Sequence, residues 1–255
     1  MAILNLTDDS FYDGGRWRDT QAGIDHGFDL AASGADLIDI GAESTRPGYT
    51  PVAPAEQIAR LGPVLQELAK TATPLCVDTT SAQVAHAAIK AGVSIVNDVS
   101  GGLADADMLA LVADAGVDYI CQAWPGWPHH NCEDAGFDWT RTRDELQYRR
   151  DACLDAGIKP GQLILDPGLG FNKGTDENWA ILANIDSLVK LGQRVMVGAS
   201  HKRFLSGDQD NTSAAAITAW CAQRGVWAVR VHEPEVHRRT IDTIEALFGQ
   251  TDIGG

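Results

Sequence analysis

The stretch Leu163-Ile164-Leu165-Asp166-Pro167-Gly168-Leu169-Gly170-Phe171-Asn172-Lys173 decides how the chain folds. A short aliphatic run closed by Asp-Pro-Gly reads as a strand buried on both faces that ends in a turn, with a polar loop at its carboxyl end. Working outward, the same pattern recurs downstream at Val195 to Val197 and Ala228 to Val231. Upstream it recurs at Ile3 to Leu6, Leu37 to Ile40, Leu75 to Val77, Ser94 to Val96 and Tyr119 to Cys121. Between these runs lie Ala-rich stretches with helical spacing, such as Ile24, Phe28, Leu30 and Ala31, or Val84, Ala87, Ala88 and Ile89. Gly34, Gly92, Gly116, Gly157 and Gly192 mark helix stops before the next strand. Eight strands alternating with helices in 255 residues predict an α/β fold, a single (β/α)8 TIM barrel over residues 1–255, rather than an open doubly wound sheet. The least regular stretch, Trp124 to Thr142, reads as a loop before the fifth helix.

The composition narrows the partners. Twenty Lys and Arg against 35 Asp and Glu give a net charge of −15, which repels nucleic acid and anionic lipid. No run of about 18 apolar residues is present to cross a bilayer. Five cysteines, an odd count without a C-x-x-C pair, fit reduced thiols and a cytoplasmic protein. No signal-peptide pattern follows Met1, and the mature fold is expected to begin at residue 2.

In a barrel the active site lies on the loops that follow the strand ends, and the polar residues of this chain fall there. Asn5 to Phe11 follow the first strand and Glu43 to Gly48 the second; the third ends at Asp78-Thr79 and the fourth at Asn97-Asp98. Asp166 to Lys173 follow the sixth, Ser200-His201-Lys202-Arg203 the seventh, and the eighth carries Arg230 and His232. Any one Asp at such a place reads first as a helix cap. Seven strand ends supplying polar groups together imply a ligand, because burying that many without one is costly.

Asp78, Asp166 and Asn97 can accept from the amino and ring N–H groups of a flat heterocycle with a guanine-like edge, and donate to its oxygen. Arg46, Lys202, Arg230 and His232 gather cations in an acidic chain, which suits a phosphate or pyrophosphate. Asn5 is a neutral oxygen donor able to help a Mg²⁺ that brings most of its ligands from water and phosphate.

Over nearly its whole length the chain resembles the bacterial dihydropteroate synthases. The resemblance runs from Ile3 to Phe11 through Glu43-Ser-Thr-Arg-Pro-Gly48, Asn97-Asp-Val-Ser-Gly-Gly102, Asp166 to Lys173 and Gly198 to Leu205, to Arg230-Val-His232. Thr7-Asp-Asp-Ser-Phe11, Lys202-Arg-Phe-Leu205 and the closing Ile253-Gly-Gly255 look most like actinobacterial members. The resemblance implies an enzyme, a transferase of folate synthesis that joins 4-aminobenzoate to 6-hydroxymethyl-7,8-dihydropterin pyrophosphate with Mg²⁺ and releases pyrophosphate. Carried over by position, Asp78, Asn97, Asp166, Lys202 and Arg230 hold the pterin, and His232 and Asn5 serve the pyrophosphate and its Mg²⁺. Thr45, Arg46, Pro47, Phe171, Lys173 and Ser200 shape the aminobenzoate pocket, and Arg46, Lys202, Arg230 and His232 are the catalytic set. The resemblance also implies a homodimer and sulfonamide sensitivity.

The chain departs from the family pattern at three places. Ala42 stands where a second Gly is usual, which puts a methyl where the backbone needs a close approach or a positive φ. Gln122-Ala123 replaces a Met-His pair on the pterin side, and His201 replaces Arg, exchanging a permanent cation for a titrating one beside the aminobenzoate carboxylate. These departures keep open a catalytically impaired pterin-binding paralogue. A folate-dependent methyl-transfer barrel is disfavoured, because it has no use for the Ser-Thr-Arg-Pro-Gly and Ser-x-Lys loops.

Overall fold

The structure is a computed structural model that describes residues 1–6, 16–43, 51–124, 138–205 and 211–248. All eight expected strands form: β1 (Ala2–Asn5), β2 (Ile38–Gly41), β3 (Leu75–Asp78), β4 (Ile95–Asp98), β5 (Asp118–Gln122), β6 (Leu163–Asp166), β7 (Arg194–Val197) and β8 (Ala228–Val229). They pair in parallel and in sequence order to make one curled sheet. Each expected run is shifted by a residue or two, since several strands include the polar residue that was expected just beyond them. Beyond β8, Val231 donates its N–H to Met1 O at 3.0 Å and accepts from Ile3 N–H at 2.9 Å.

Nine described helices flank the sheet: α1 (Arg16–Ala32), α2 (Pro54–Leu68), α3 (Ala82–Lys90), α4 (Met108–Ala115), α5 (Thr140–Asp155), α6 (Thr175–Ala183), α7 (Ile185–Val189), α8 (Thr212–Ala222) and α9 (Pro234–Phe248). The five glycines read as helix stops all have positive φ, from 69° at Gly116 to 100° at Gly92. Thr142 belongs to α5, so the irregular stretch ends earlier than the sequence suggested; residues 125–137 lie outside the described residues.

Strand periodicity sorts the side chains into two layers. Ile38, Ile40, Val77, Val96, Tyr119, Cys121, Leu163, Leu165, Val195 and Val197 pack outward against the helices in the larger core. Met1, Leu37, Cys76, Ile95, Ile120, Ile164 and Met196 form a second, smaller cluster on the inner face. Two residues further along, the inner positions of β2 to β7 become Asp39, Asp78, Asn97, Gln122, Asp166 and Gly198, whereas β1 keeps an apolar Ile3 before Asn5. The inner face is therefore apolar at its amino end and polar at its carboxyl end.

Candidate active site

The register sets Asn5 beside Gly41, Gly41 beside Asp78 and Asp78 beside Asn97, one row across four strands. Gln122 pairs with Asp166 on the other side. Arg230, from the segment after β8, reaches across this mouth: its Nε donates to Asp39 Oδ2 at 2.6 Å and its Nη2 to Asp78 Oδ2 at 2.7 Å. Asn97 Nδ2 donates to the same Asp39 oxygen at 3.0 Å.

Burial makes these charges responsive. It pushes the Asp78 carboxyl up to about 7, with Arg230 opposing and Asp39 adding to the rise. It also raises Asp166, against the N–H of Gly168 and the charges of Lys202 and Arg230. Lys202 is brought down to about 8 by burial and by Arg230, with Asp166 opposing. Arg230 is held above its ordinary value by Asp39 and Asp78 despite its burial.

The Asp166-Pro-Gly turn is tightly fixed. Gly168 N–H donates to Asp166 Oδ1 at 2.8 Å, and Gly168 sits at φ 64°, where a Cβ would come within 2.8 Å of Ala123 O. Lys173 Nζ donates to Gly168 O at 3.1 Å, bracing the loop, and Lys202 Nζ lies 4.3 Å from the centre of the Phe171 ring. Beyond β7, the strand beside β6, Ser200 Oγ is 3.0 Å from His232 Nδ1.

Of the residues singled out in the sequence, Asn5, Asp78, Asn97, Asp166, Phe171, Lys173, Ser200, Lys202, Arg230 and His232 are described and stand at this end of the sheet. Thr45, Arg46 and Pro47 lie outside the described residues. Asp98 faces the other way: it accepts from Ser100 N–H, Ser100 Oγ–H, Gly102 N–H and Tyr119 O–H, and so fastens the loop rather than serving a ligand. Glu43 accepts from Val52 N–H at 2.8 Å and from Gln57 Nε2 at 3.3 Å, anchoring the start of α2. The residue sequence reasoning missed is Asp39, a carboxylate inside the aliphatic run Leu37-Ile38-Asp39-Ile40. Its signal was the inner parity it shares with Gly41.

The three departures also find their places. Ala42 is fully buried in the helix-facing core, and it is not among the described non-glycine residues with positive φ, which are Asn172, His201 and Asn211. Its methyl therefore does not intrude on the site. Gln122 lies against the Gly168 turn, its Cγ 3.0 Å from where a Gly168 Cβ would be. His201 takes φ 57°, stacks on His232 and sets Nε2 3.3 Å from Glu233 Oε1.

Among the described residues no group of three or more His, Cys, Asp and Glu could hold a metal ion. The Asn5 amide offers one hard oxygen, a donor set that fits Mg²⁺ arriving with its own water and phosphate ligands.

A family model described as pterin binding enzyme matches residues 1–232. The dihydropteroate synthase of Mycobacterium leprae is 39% identical over 97% of this chain and 91% of its own length. The chain belongs to the dihydropteroate synthase family. Solved dihydropteroate synthases share the fold: that of Xanthomonas albilineans with 4-aminobenzoic acid has a TM-score of 0.88 and 38% identity, over 96% of this chain and 91% of that one. That of Anaplasma phagocytophilum with bound 6-hydroxymethylpterin-monophosphate has a TM-score of 0.88 and 35% identity, over 96% of this chain and 97% of that one. The dihydropteroate synthase relatives make this chain a transferase.

Proposed function

We propose that the protein joins 4-aminobenzoate to 6-hydroxymethyl-7,8-dihydropterin pyrophosphate, forming 7,8-dihydropteroate for folate synthesis and releasing pyrophosphate. The observation that carries this reading is the inward set of Asp78, Asn97 and Asp166 with Arg230 and Lys202 beside it, on a fold shared with dihydropteroate synthases. A pure pterin binder has no need of this gathering of cations, which weighs against the impaired paralogue.

Asp78, Asn97 and Asp166 meet the donor and acceptor edge of the pterin, with Lys202 and Arg230 against the ring. Phe171, Lys173 and Ser200, together with Thr45, Arg46 and Pro47, shape the aminobenzoate pocket. The bond between the pterin methylene and the pyrophosphate oxygen breaks, the ring nitrogens delocalise the charge left on carbon, and the aniline nitrogen attacks that carbon and gives up a proton. The catalytic set, Arg46, Lys202, Arg230 and His232, positions the reactants and stabilises the leaving group, as suits a reaction that needs no strong base. Mg²⁺ would be held by Asn5 with water and pyrophosphate oxygens and would offset leaving-group charge.

The return of Val231 to Met1 and Ile3 supports a closed (β/α)8 barrel over residues 1–255. Exposed Trp220 on α8 and Leu247 and Phe248 on α9 support a homodimer. Four buried free thiols, Cys76, Cys121, Cys153 and Cys221, support a cytoplasmic setting, and no described helix is long and apolar enough to cross a membrane. The test is a pyrophosphate-release assay. Release is expected only with the pterin pyrophosphate, 4-aminobenzoate and Mg²⁺ together; pterin binding without release overturns the synthase reading in favour of a binding module.

A further inference from the structure

We propose that Asp39 is a positioning residue of the reaction, a fixed tether that keeps the Arg230 guanidinium over the site when the substrate takes Asp78 away from it. The inference rests on the function proposed above.

The geometry divides the guanidinium into two edges. Nε and Nη2 form one edge, and they go to Asp39 on β2 and Asp78 on β3 at 2.6 and 2.7 Å. Nη1 makes no hydrogen bond among the described residues, and the Arg230 side chain retains 20% of its exposure. The arginine comes from the far side of the ladder, 191 residues from Asp39 in sequence, so its long side chain has its direction set by these two carboxylates.

The two carboxylates are not equivalent. Asp78 ends its strand, is 12% exposed and lies in the row with Asn5 and Asn97 where a heterocycle would be read. Asp39 lies two residues deeper, is wholly buried and is braced by Asn97 Nδ2 on the same oxygen that holds Arg230. A ligand can reach the first and not the second. When pterin donors occupy Asp78, Nη2 is released toward the pyrophosphate while Nε stays on Asp39, so the cation swings about a fixed point instead of being lost to solvent.

A wholly buried carboxylate is costly, and no nitrogen or oxygen donor reaches its second oxygen, Oδ1. Cys76 is its ladder neighbour, and the charge of Asp39 adds to the burial that raises that thiol. The charges around Asp78 include Arg230, Asp39, Asp98, Glu43 and Lys202, and those around Arg230 include Asp39, Asp78, Asp166, Lys202 and the amino terminus. A carboxylate kept under such conditions fits a role in aiming Arg230.

The experiment begins with the unaltered protein, whose failure to release pyrophosphate would count against the proposed function alone. Pterin binding by calorimetry and the NMR signal of Arg230 Nε–H test Asp39 in either case. Asp39→Asn keeps the shape and removes the charge. It is expected to lower kcat/KM for the pterin pyrophosphate between about tenfold and a hundredfold, as for a displaced positioning group, with KM for 4-aminobenzoate changed less than about twofold. In an Arg230→Lys background, which lacks the fork, Asp39→Asn is expected to add nothing further. Losses that multiply in the double variant overturn the proposal, because Asp39 then acts other than through Arg230. If Asp39→Asn does not fold, the unaltered protein decides. A slowly exchanging Arg230 Nε–H signal, assigned by its loss in Arg230→Lys, is expected to persist on addition of pterin. A signal that exchanges freely or disappears with pterin overturns the tether.

Discussion

The imidazole of His201 lies flat on that of His232, ring centres 4.2 Å apart and planes 8° from parallel, while its Nε2 is 3.3 Å from Glu233. His232 in turn meets Ser200 through Nδ1. His201 thus buttresses the His232 ring, and its Nε2 faces Glu233.

His201→Ala is therefore expected to raise KM for the pterin pyrophosphate, by loosening His232, and to leave KM for 4-aminobenzoate unchanged. Its cost in stability should stay under about 1 kcal/mol, because the His201–Glu233 pair is half exposed and water screens it. Steady-state kinetics and a urea midpoint check both parts. A rise confined to the aminobenzoate KM would return His201 to the carboxylate.

Asp78 sets the acid limb of ligand binding. Only its carboxylate form accepts two donors, so pterin affinity should rise with pH up to about 7, and it should fall again above about 8 as Lys202 loses its proton. Stability should move the other way on the acid side. The folded value of about 7 lies above the ordinary 3.8, so the folded chain binds more protons between them; the stability contributed by protonated Asp78 is present below 3.8 and lost as pH rises through 7. Calorimetric titrations and denaturation midpoints across this window provide the check, with Asp78→Asn as the control that removes the acid limb of affinity and the matching fall in stability.

Tyr119→Phe separates loop from site. The phenol donates to Asp98 at 2.8 Å behind the sheet, and its loss leaves a buried carboxylate short of one partner. Stability should fall by about 1.5 to 3 kcal/mol, the range for a hydrogen bond to a charged group, while pterin affinity stays nearly constant. An equal loss in both would mean that Asp98 helps to place Asn97 for the ligand.

These residues also mark how far the sequence could be read. The eight runs, their order and the polar strand ends were legible, because strand burial and the βα alternation are local patterns. Which of two neighbours faces the ligand depends on a single residue of register; Asn97 was singled out over Asp98, and the two do point to opposite faces. Asp39 was hidden within an aliphatic run, since its reason for being there is an arginine 191 residues away. The split between α6 and α7 at Asn184 carries no Gly or Pro to announce it.

Asp166→Asn should move affinity and stability in different directions. Oδ1 is committed to Gly168 N–H at 2.8 Å, which leaves Oδ2 for the ligand. To keep the Gly168 bond, an asparagine must place its oxygen there and turn its amide hydrogens toward the pterin donors. Donor then faces donor, and binding should weaken by about 1 to 3 kcal/mol, the penalty for mispairing a buried polar group. Stability near neutral pH should hold or rise, because burial raises the Asp166 carboxyl and the neutral amide escapes the cost of ionising there. Calorimetry with a pterin and urea denaturation of both proteins measure the pair of effects. Unchanged affinity would remove Asp166 from the site, and a stability loss as large as the affinity loss would make the residue a support of the turn.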